Sequence, residues 1–228
     1  MKRIMVVGAS SGIGEALAQL LIVQGFSIVS LSRSPPAFEV ETHVNYDVRA
    51  DTEPSGIDGT LNGLVYCPGS LLLKPFKLTK LSEFKNDLQV NFLGAVRVLQ
   101  HYLPALSGSG DASVVLFSTI AAGVGMPYHS SIAASKGAVE GLVRSLAAEW
   151  APVIRVNAIA PSLVQTSLTT RLTDSETKLK TAADRHPLKR IGSTADIAAI
   201  AAFLLTPQAS WITGQILHVD GGLSTLKK

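Results

Sequence analysis

The chain has 228 residues, 46% of them hydrophobic and only 16% charged, with a net charge of +3. Folding buries about 70% of the surface of a chain this long, so one large core is possible without staples. This balance excludes a disordered chain, and a weak basic excess without a Lys/Arg run argues against a nucleic-acid partner.

Cys67 is the only cysteine, so no internal disulfide can form. No metal site is expected. No apolar stretch approaches the ~18 residues of a membrane span, and the run 4–7 behind Lys2 and Arg3 is too short for a signal peptide. The expectation is a cytoplasmic protein with no membrane partner.

Residues 4–7 form an unbroken apolar run, as suits a strand buried on both faces of a parallel sheet. The loop GASSGIG (8–14) follows, then Ile13, Leu17, Leu20 and Leu21 at helical spacing, with Gly25 ending the helix. Residues 27–31 and 42–45 read as strands two and three, and 63–66 as the fourth. Leu88, Phe92, Ala95, Val96 and Leu99 keep helical spacing to about Leu106. Residues 114–117 read as a strand and 133–149 as an Ala-rich helix capped by Ser130 or Ser131. A strand at 154–159, a helix at 196–205 and a strand at 216–219 complete the chain. Alternating strands and helices predict an α/β fold with a parallel sheet, one domain over 1–228.

One stretch breaks the rhythm. Pro35–Pro36 follows the second strand closely, and 51–59 holds Pro54, Gly56 and Gly59. A parallel crossover takes a dozen or more residues, usually helical. The connections after strands 2 and 3 are therefore predicted to be shortened, with short or absent helices.

Gly8, Gly12 and Gly14 lie between a strand and a helix, with Ser10, Ser11 and Ile13 among them. Glycines there let the backbone turn tightly and approach a pyrophosphate, while free N–H groups and the helix dipole favour the anion. The spacing G-x-x-x-G-x-G resembles the short-chain dehydrogenase/reductase family. So do RSLAAEWAPVIRVNAIAPSLVQTSL (144–168) and ASWITGQILHVDGGLS (209–224), in the expected order. The resemblance covers essentially the whole chain. It implies a Rossmann-type, doubly wound sheet of seven parallel strands and a nicotinamide cofactor.

NAD-dependent members usually end the second strand in an acidic residue; the aligned position is Ser32, followed by Arg33. With no carboxylate to repel a 2′-phosphate and a guanidinium to bind it, NADP(H) is favoured over NAD(H). The alternative for Arg33 is a solvated loop position. Asp47 and Val48 resemble the pair that touches the adenine, and Thr166 the threonine at the nicotinamide end. The resemblance also places Cys67, Gly69, Pro161 and Val164 at the cofactor. YCPG (66–69) stands where the family has Asn-Asn-Ala-Gly, and Pro68 has no N–H to offer.

The family's chemistry uses a Tyr and a Lys four residues apart, a Ser on the preceding strand end and an Asn one helix earlier. The resemblance places Lys136, Thr119 and Asn91 on the last three. Four residues before Lys136 stands Ile132, which cannot transfer a proton. Three accounts stay open. Tyr128, one turn earlier, or His129 supplies the proton, unless Tyr128 is a pocket-lining or surface residue and His129 a solvated one. Alternatively the reaction needs little acid catalysis, since losing a general acid costs about 10²–10⁴-fold. Or the chain binds NADP(H) without turnover, as a regulatory module. Enoyl reductases of the superfamily also carry their Tyr farther ahead of the Lys, so the substrate is a small-molecule carbonyl or enoyl compound.

In the family the segment 167–191 closes over the substrate. Its basic excess here suits an anionic or CoA-like substrate, or else a solvated lid helix. Val96, Leu99, Leu103, Leu142, Leu146 and Ala147 fall on helices that in the family pair across a two-fold axis, which implies a homotetramer or homodimer.

Overall fold

Seven strands make one sheet in the computed structural model, which describes residues 1–227. They are β1 (Arg3–Val7), β2 (Ser27–Ser32), β3 (Thr42–Asn45), β4 (Gly63–Tyr66), β5 (Ala112–Phe117), β6 (Ile154–Pro161) and β7 (Ile216–Val219). Their spatial order is β3-β2-β1-β4-β5-β6-β7, and every neighbouring pair is parallel. The α-helices are α1 (Gly12–Val23), α2 (Leu81–Leu88), α3 (Gly94–Ser107), α4 (Ser130–Trp150), α5 (Glu176–Arg185) and α6 (Thr194–Leu204).

Two cores explain the unbroken apolar strands. Met5 and Val7 join Leu99 of α3 and Val139 and Val143 of α4 on one face. Ile4 and Val6 point the other way, into Leu17 and Leu21 of α1 and Ile197 and Ala201 of α6. Successive strand side chains alternate between faces, so a strand covered on both must be apolar throughout. Ile4, Met5, Val6 and Val7 are all fully buried. Each stabilises the fold by roughly 1.5–3 kcal/mol. A charge at any of the four would be buried without a partner.

The predicted bounds hold for β3, β4 and β7, and the other strands run one or two residues longer. Residues 33–41 and 46–62 contain no α-helix, as the Pro/Gly punctuation predicts. The short return is feasible because β3 has only four residues, about 13 Å, and an extended loop covers about 3.3 Å per residue.

The helix read from Leu88 to Leu106 is three pieces: the end of α2, a π-helical turn over Gln89–Leu93, and α3. Asn91 lies inside that turn, and its side-chain Nδ2 donates to the Asp87 carbonyl at 2.9 Å, competing with the backbone ladder. Gly94 follows because a Cβ there would lie 2.5 Å from the Tyr66 hydroxyl and 2.9 Å from the Val48 carbonyl. Such π turns concentrate at functional sites.

The cap expected on α4 is also different. Ser130 and Ser131 are inside the helix, His129 precedes it, and no side chain caps it. A capping residue needs extended backbone, and both serines are already helical. Of the side chains expected at a subunit face, Leu99 and Ala147 are buried in this chain's own core, and the other four are half-buried.

Among the described residues no helix is long and apolar enough to cross a membrane. Between β1 and β4 the strand order reverses, since β1 has β2 on one side and β4 on the other. The loops at the carboxyl ends of β1 and β4 part there, which opens the crevice where such sheets bind ligands.

Candidate active site

A cleft of about 570 Å³ occupies that crevice. Its floor is the loop from β1 to α1: Gly8, Ser10, Ser11, Gly12, Ile13 and Gly14 all line it. The glycines are required by geometry. Gly8 and Gly12 have φ of +82° and +59°, and a Cβ on Gly14 would lie 2.2 Å from the Gly8 carbonyl oxygen. The N-terminus of α1 therefore faces the cleft with backbone N–H groups and the positive end of its dipole, a ready cradle for a phosphate.

The end of β2 forms one wall. The Ser32 hydroxyl donates to the Ser34 carbonyl at 2.8 Å and is buried. Arg33 is exposed and lines the cleft, its carbonyl held by the Asn45 amide at 3.0 Å. Asp47 lines the cleft too, but its carboxylate is gripped by the Arg49 guanidinium, with Nη2 at 2.8 Å and Nε at 3.1 Å. That ion pair holds the Asp47 carboxyl below its ordinary range. Val48 is buried at the same wall, next to Tyr46. The wall thus presents two guanidiniums and one neutralised carboxylate.

Cys67 and Gly69, after β4, line the opposite side. Cys67 is half-buried, and burial pushes its thiol up to about 12. A neutral thiol packs as a small apolar group and is a poor nucleophile. Thr166 closes the cleft from above: its Cγ2 lies 3.7 Å from where a Cβ of Gly12 would be, and its backbone N–H donates to Thr169 Oγ1 at 3.1 Å. Pro161 and Val164 support that segment without lining the cleft. The Pro161 carbonyl faces Thr119, and buried Val164 bridges to Gly192.

Lys136 and Asn91 sit behind Gly69, and neither they nor Thr119 line the cleft itself. A Cβ on Gly69 would be 3.4 Å from Asn91 Oδ1 and 4.0 Å from Lys136 Nζ. Lys136 is 7% exposed and donates to the Phe117 carbonyl at 2.8 Å. Burial lowers its ammonium to about 8, with Cys67 and Asp87 opposing. Among the described residues the Thr119 hydroxyl makes long contacts, donating to the Pro161 carbonyl at 3.4 Å and accepting from the Ala121 N–H at 3.4 Å. Both bonds are weak enough to yield to a ligand.

Ile132, one turn before Lys136, is 4% exposed. Tyr128 is not brought to this group: it is 60% exposed, outside the cleft lining. Its backbone has φ +69°, an uncommon conformation for a bulky residue, and its carbonyl accepts the Lys74 N–H at 3.0 Å. His129 is exposed and pairs with the Pro127 carbonyl at 2.7 Å. In the segment 167–191, Lys178 and Lys189 pair with Asp174 and Asp184 of the same segment, and Arg190 pairs with Asp196 beyond it, so the basic excess largely persists.

Sequence reasoning missed Leu31, Tyr46, Arg49, Ser70, Leu71, Asn86, Val90, Ser167 and Leu168 in the cleft lining. Arg49 was within reach, two residues past Asp47. Ser70, whose hydroxyl meets Asp87 at 2.6 Å, carried no local signal.

The family model described as Enoyl-(Acyl carrier protein) reductase matches residues 47–224. A tropinone reductase homolog of Arabidopsis thaliana is 35% identical over 96% of this chain and 92% of its own. One from Datura stramonium is 30% identical over 96% and 90%. A short-chain type dehydrogenase/reductase from Mycobacterium ulcerans superposes with TM-score 0.87 at 28% identity, over 98% of this chain and 90% of that one. The chain belongs to the short-chain dehydrogenase/reductase family. The aldohexose dehydrogenase of Thermoplasma acidophilum, in ligand-free form, superposes with TM-score 0.90 at 29% identity, covering 99% of this chain and 95% of that one. ElxO with NADP bound superposes with TM-score 0.87 at 25% identity, covering 99% of both chains. In this short-chain dehydrogenase/reductase, the seven-stranded sheet and the glycine loop therefore have the expected fold context.

Proposed function

We propose that this chain is an NADP(H)-dependent oxidoreductase that interconverts a carbonyl and an alcohol on a small molecule. The observation that carries the cofactor choice is the β2 wall. Arg33 and Arg49 line the cleft, Ser32 stands where an acidic residue would repel a phosphate, and Asp47 is already paired. A guanidinium binds phosphate oxygens in a planar, charge-assisted fork. The glycine cradle would hold the pyrophosphate, and Val48 and Tyr46 offer an apolar edge to the base. NADP bound to the similar ElxO supports the same reading.

When bound, the nicotinamide supplies or accepts a hydride. The chain's own residues do the rest. Thr119 offers its hydroxyl to the substrate oxygen, a group its present long bonds can release. Lys136 supplies positive charge in a dry setting, where charge acts more strongly than in water. Its ammonium, near 8, is poised for proton exchange around neutral pH. Ile132 presents an apolar surface beside these groups.

Fluorescence titration with NADPH and NADH tests the cofactor assignment. NADPH binding at least tenfold tighter is expected, and equal affinity defeats it. Turnover against a panel of carbonyl and enoyl compounds tests the reaction. A second reading, nucleotide binding without turnover, is favoured by the position of Tyr128 outside the cleft lining, and no oxidation of bound NADPH by any panel member would select it. A homodimer or homotetramer remains our proposal for the assembly, and a light-scattering mass of one chain at micromolar concentration would sink it.

A further inference from the structure

Two buried groups of opposite charge flank Asn91, and neither is fully satisfied. Lys136 has three N–H donors, and the hydrogen bond it makes among the described residues is to Phe117. Asp87, in the last turn of α2, is 2% exposed. Its Oδ1 accepts the Ser70 hydroxyl at 2.6 Å, while Oδ2 is buried with no hydrogen-bond partner among the described residues. A buried charge is costly unless it is paired or well hydrogen-bonded.

A tight network holds Asp87, Asn91 and Ser70 together. Asn91 Nδ2 donates to the Asp87 carbonyl at 2.9 Å and to Ser70 Oγ at 2.8 Å, and Asn91 Oδ1 accepts the Ser70 N–H at 3.2 Å. Gly69, beside Ser70, backs onto both Asn91 Oδ1 and Lys136 Nζ. Ser70 itself lines the cleft. Its single hydroxyl proton is committed to the Asp87 carboxylate, so it shows the cleft a lone pair. A ligand group meeting Ser70 must be a donor, a hydroxyl or an amide N–H, and not a carbonyl or phosphate oxygen.

We propose that Asp87 is a positioning residue of this site: by holding the Ser70 hydroxyl proton, its carboxylate makes Ser70 present a hydrogen-bond acceptor to a sugar hydroxyl or carboxamide of the bound nucleotide. This role rests on the nucleotide-binding reading.

NADPH titration reads the acceptor role. Ser70→Ala is expected to weaken binding about fivefold, while Ser70→Thr, which keeps the hydroxyl, stays within about twofold of the wild type. Asp87→Asn is expected to weaken binding about as much as Ser70→Ala, with Asp87→Ser in its place if the amide variant does not fold. Unchanged affinity in Ser70→Ala, with the wild type binding NADPH, overturns the proposal and leaves the nucleotide reading standing. Failure of the wild type to bind NADPH defeats the nucleotide reading and the acceptor role with it.

Discussion

The cleft floor and the side-chain cluster beside it are built differently. The floor under β1 is made of backbone: glycines, N–H groups and a helix terminus. The region around α4 is made of side chains: Lys136, Asn91, Thr119, Ile132 and the Ser70–Asp87 pair. A backbone device depends on a few glycines at fixed spacing, and this chain keeps it. A side-chain device can be rebuilt one residue at a time within the same fold, which is how Ile132 stands one turn before Lys136 here. Fold membership therefore says more about the first end than about the second.

The largest effect expected is at the side-chain end. Lys136→Ala should lower turnover about 10²–10⁴-fold in steady-state assays. A loss below tenfold would show that this end does little chemistry. Gly14→Ala should break the backbone end, since its Cβ would meet the Gly8 carbonyl at 2.2 Å. Overpacking of this kind costs about 1–3 kcal/mol, and thermal unfolding and NADPH binding should both suffer. Arg33→Ala should weaken NADPH about tenfold or more and leave NADH unchanged, since one charge-assisted contact contributes about 1.5–3 kcal/mol.

Lys136 also gives the two ends different pH behaviour. Its folded-state value, about 8, lies below the ordinary 10.5. Between those values the unfolded chain holds the extra proton, so stability should rise with pH across that window. Lys136→Met should flatten the slope in chemical denaturation at several pH values. The smallest effect belongs to Tyr128→Phe, expected to leave turnover within twofold because the residue is exposed and outside the cleft lining. A drop of tenfold or more would return the proton-donor role to it.

The strands, their parallel order, the clipped connections and the glycine cradle were legible because each follows from local rules. Two-sided burial demands unbroken apolar runs, Pro and Gly punctuate, and a phosphate loop needs residues without Cβ atoms. Lys136, Thr119 and Asn91 could be placed by resemblance of segments. The break in the helix at Asn91 could not, because a side chain bonding back to the Asp87 carbonyl leaves the apolar spacing almost unchanged. Nor could the serine caps, since both serines have helical backbone.

Length and low charge permitted one well-buried α/β fold, and the motifs pointed to the short-chain dehydrogenase/reductase family. Tertiary structure alone decided that Arg49 neutralises Asp47, that Leu99 and Ala147 serve this chain's own core, and that Tyr128 is exposed and outside the cleft lining. It alone joined Ser70 to Asp87, seventeen residues apart. Periodicity reports which face of an element is buried. Which buried polar groups meet depends on how separate elements pack, and no local pattern encodes that.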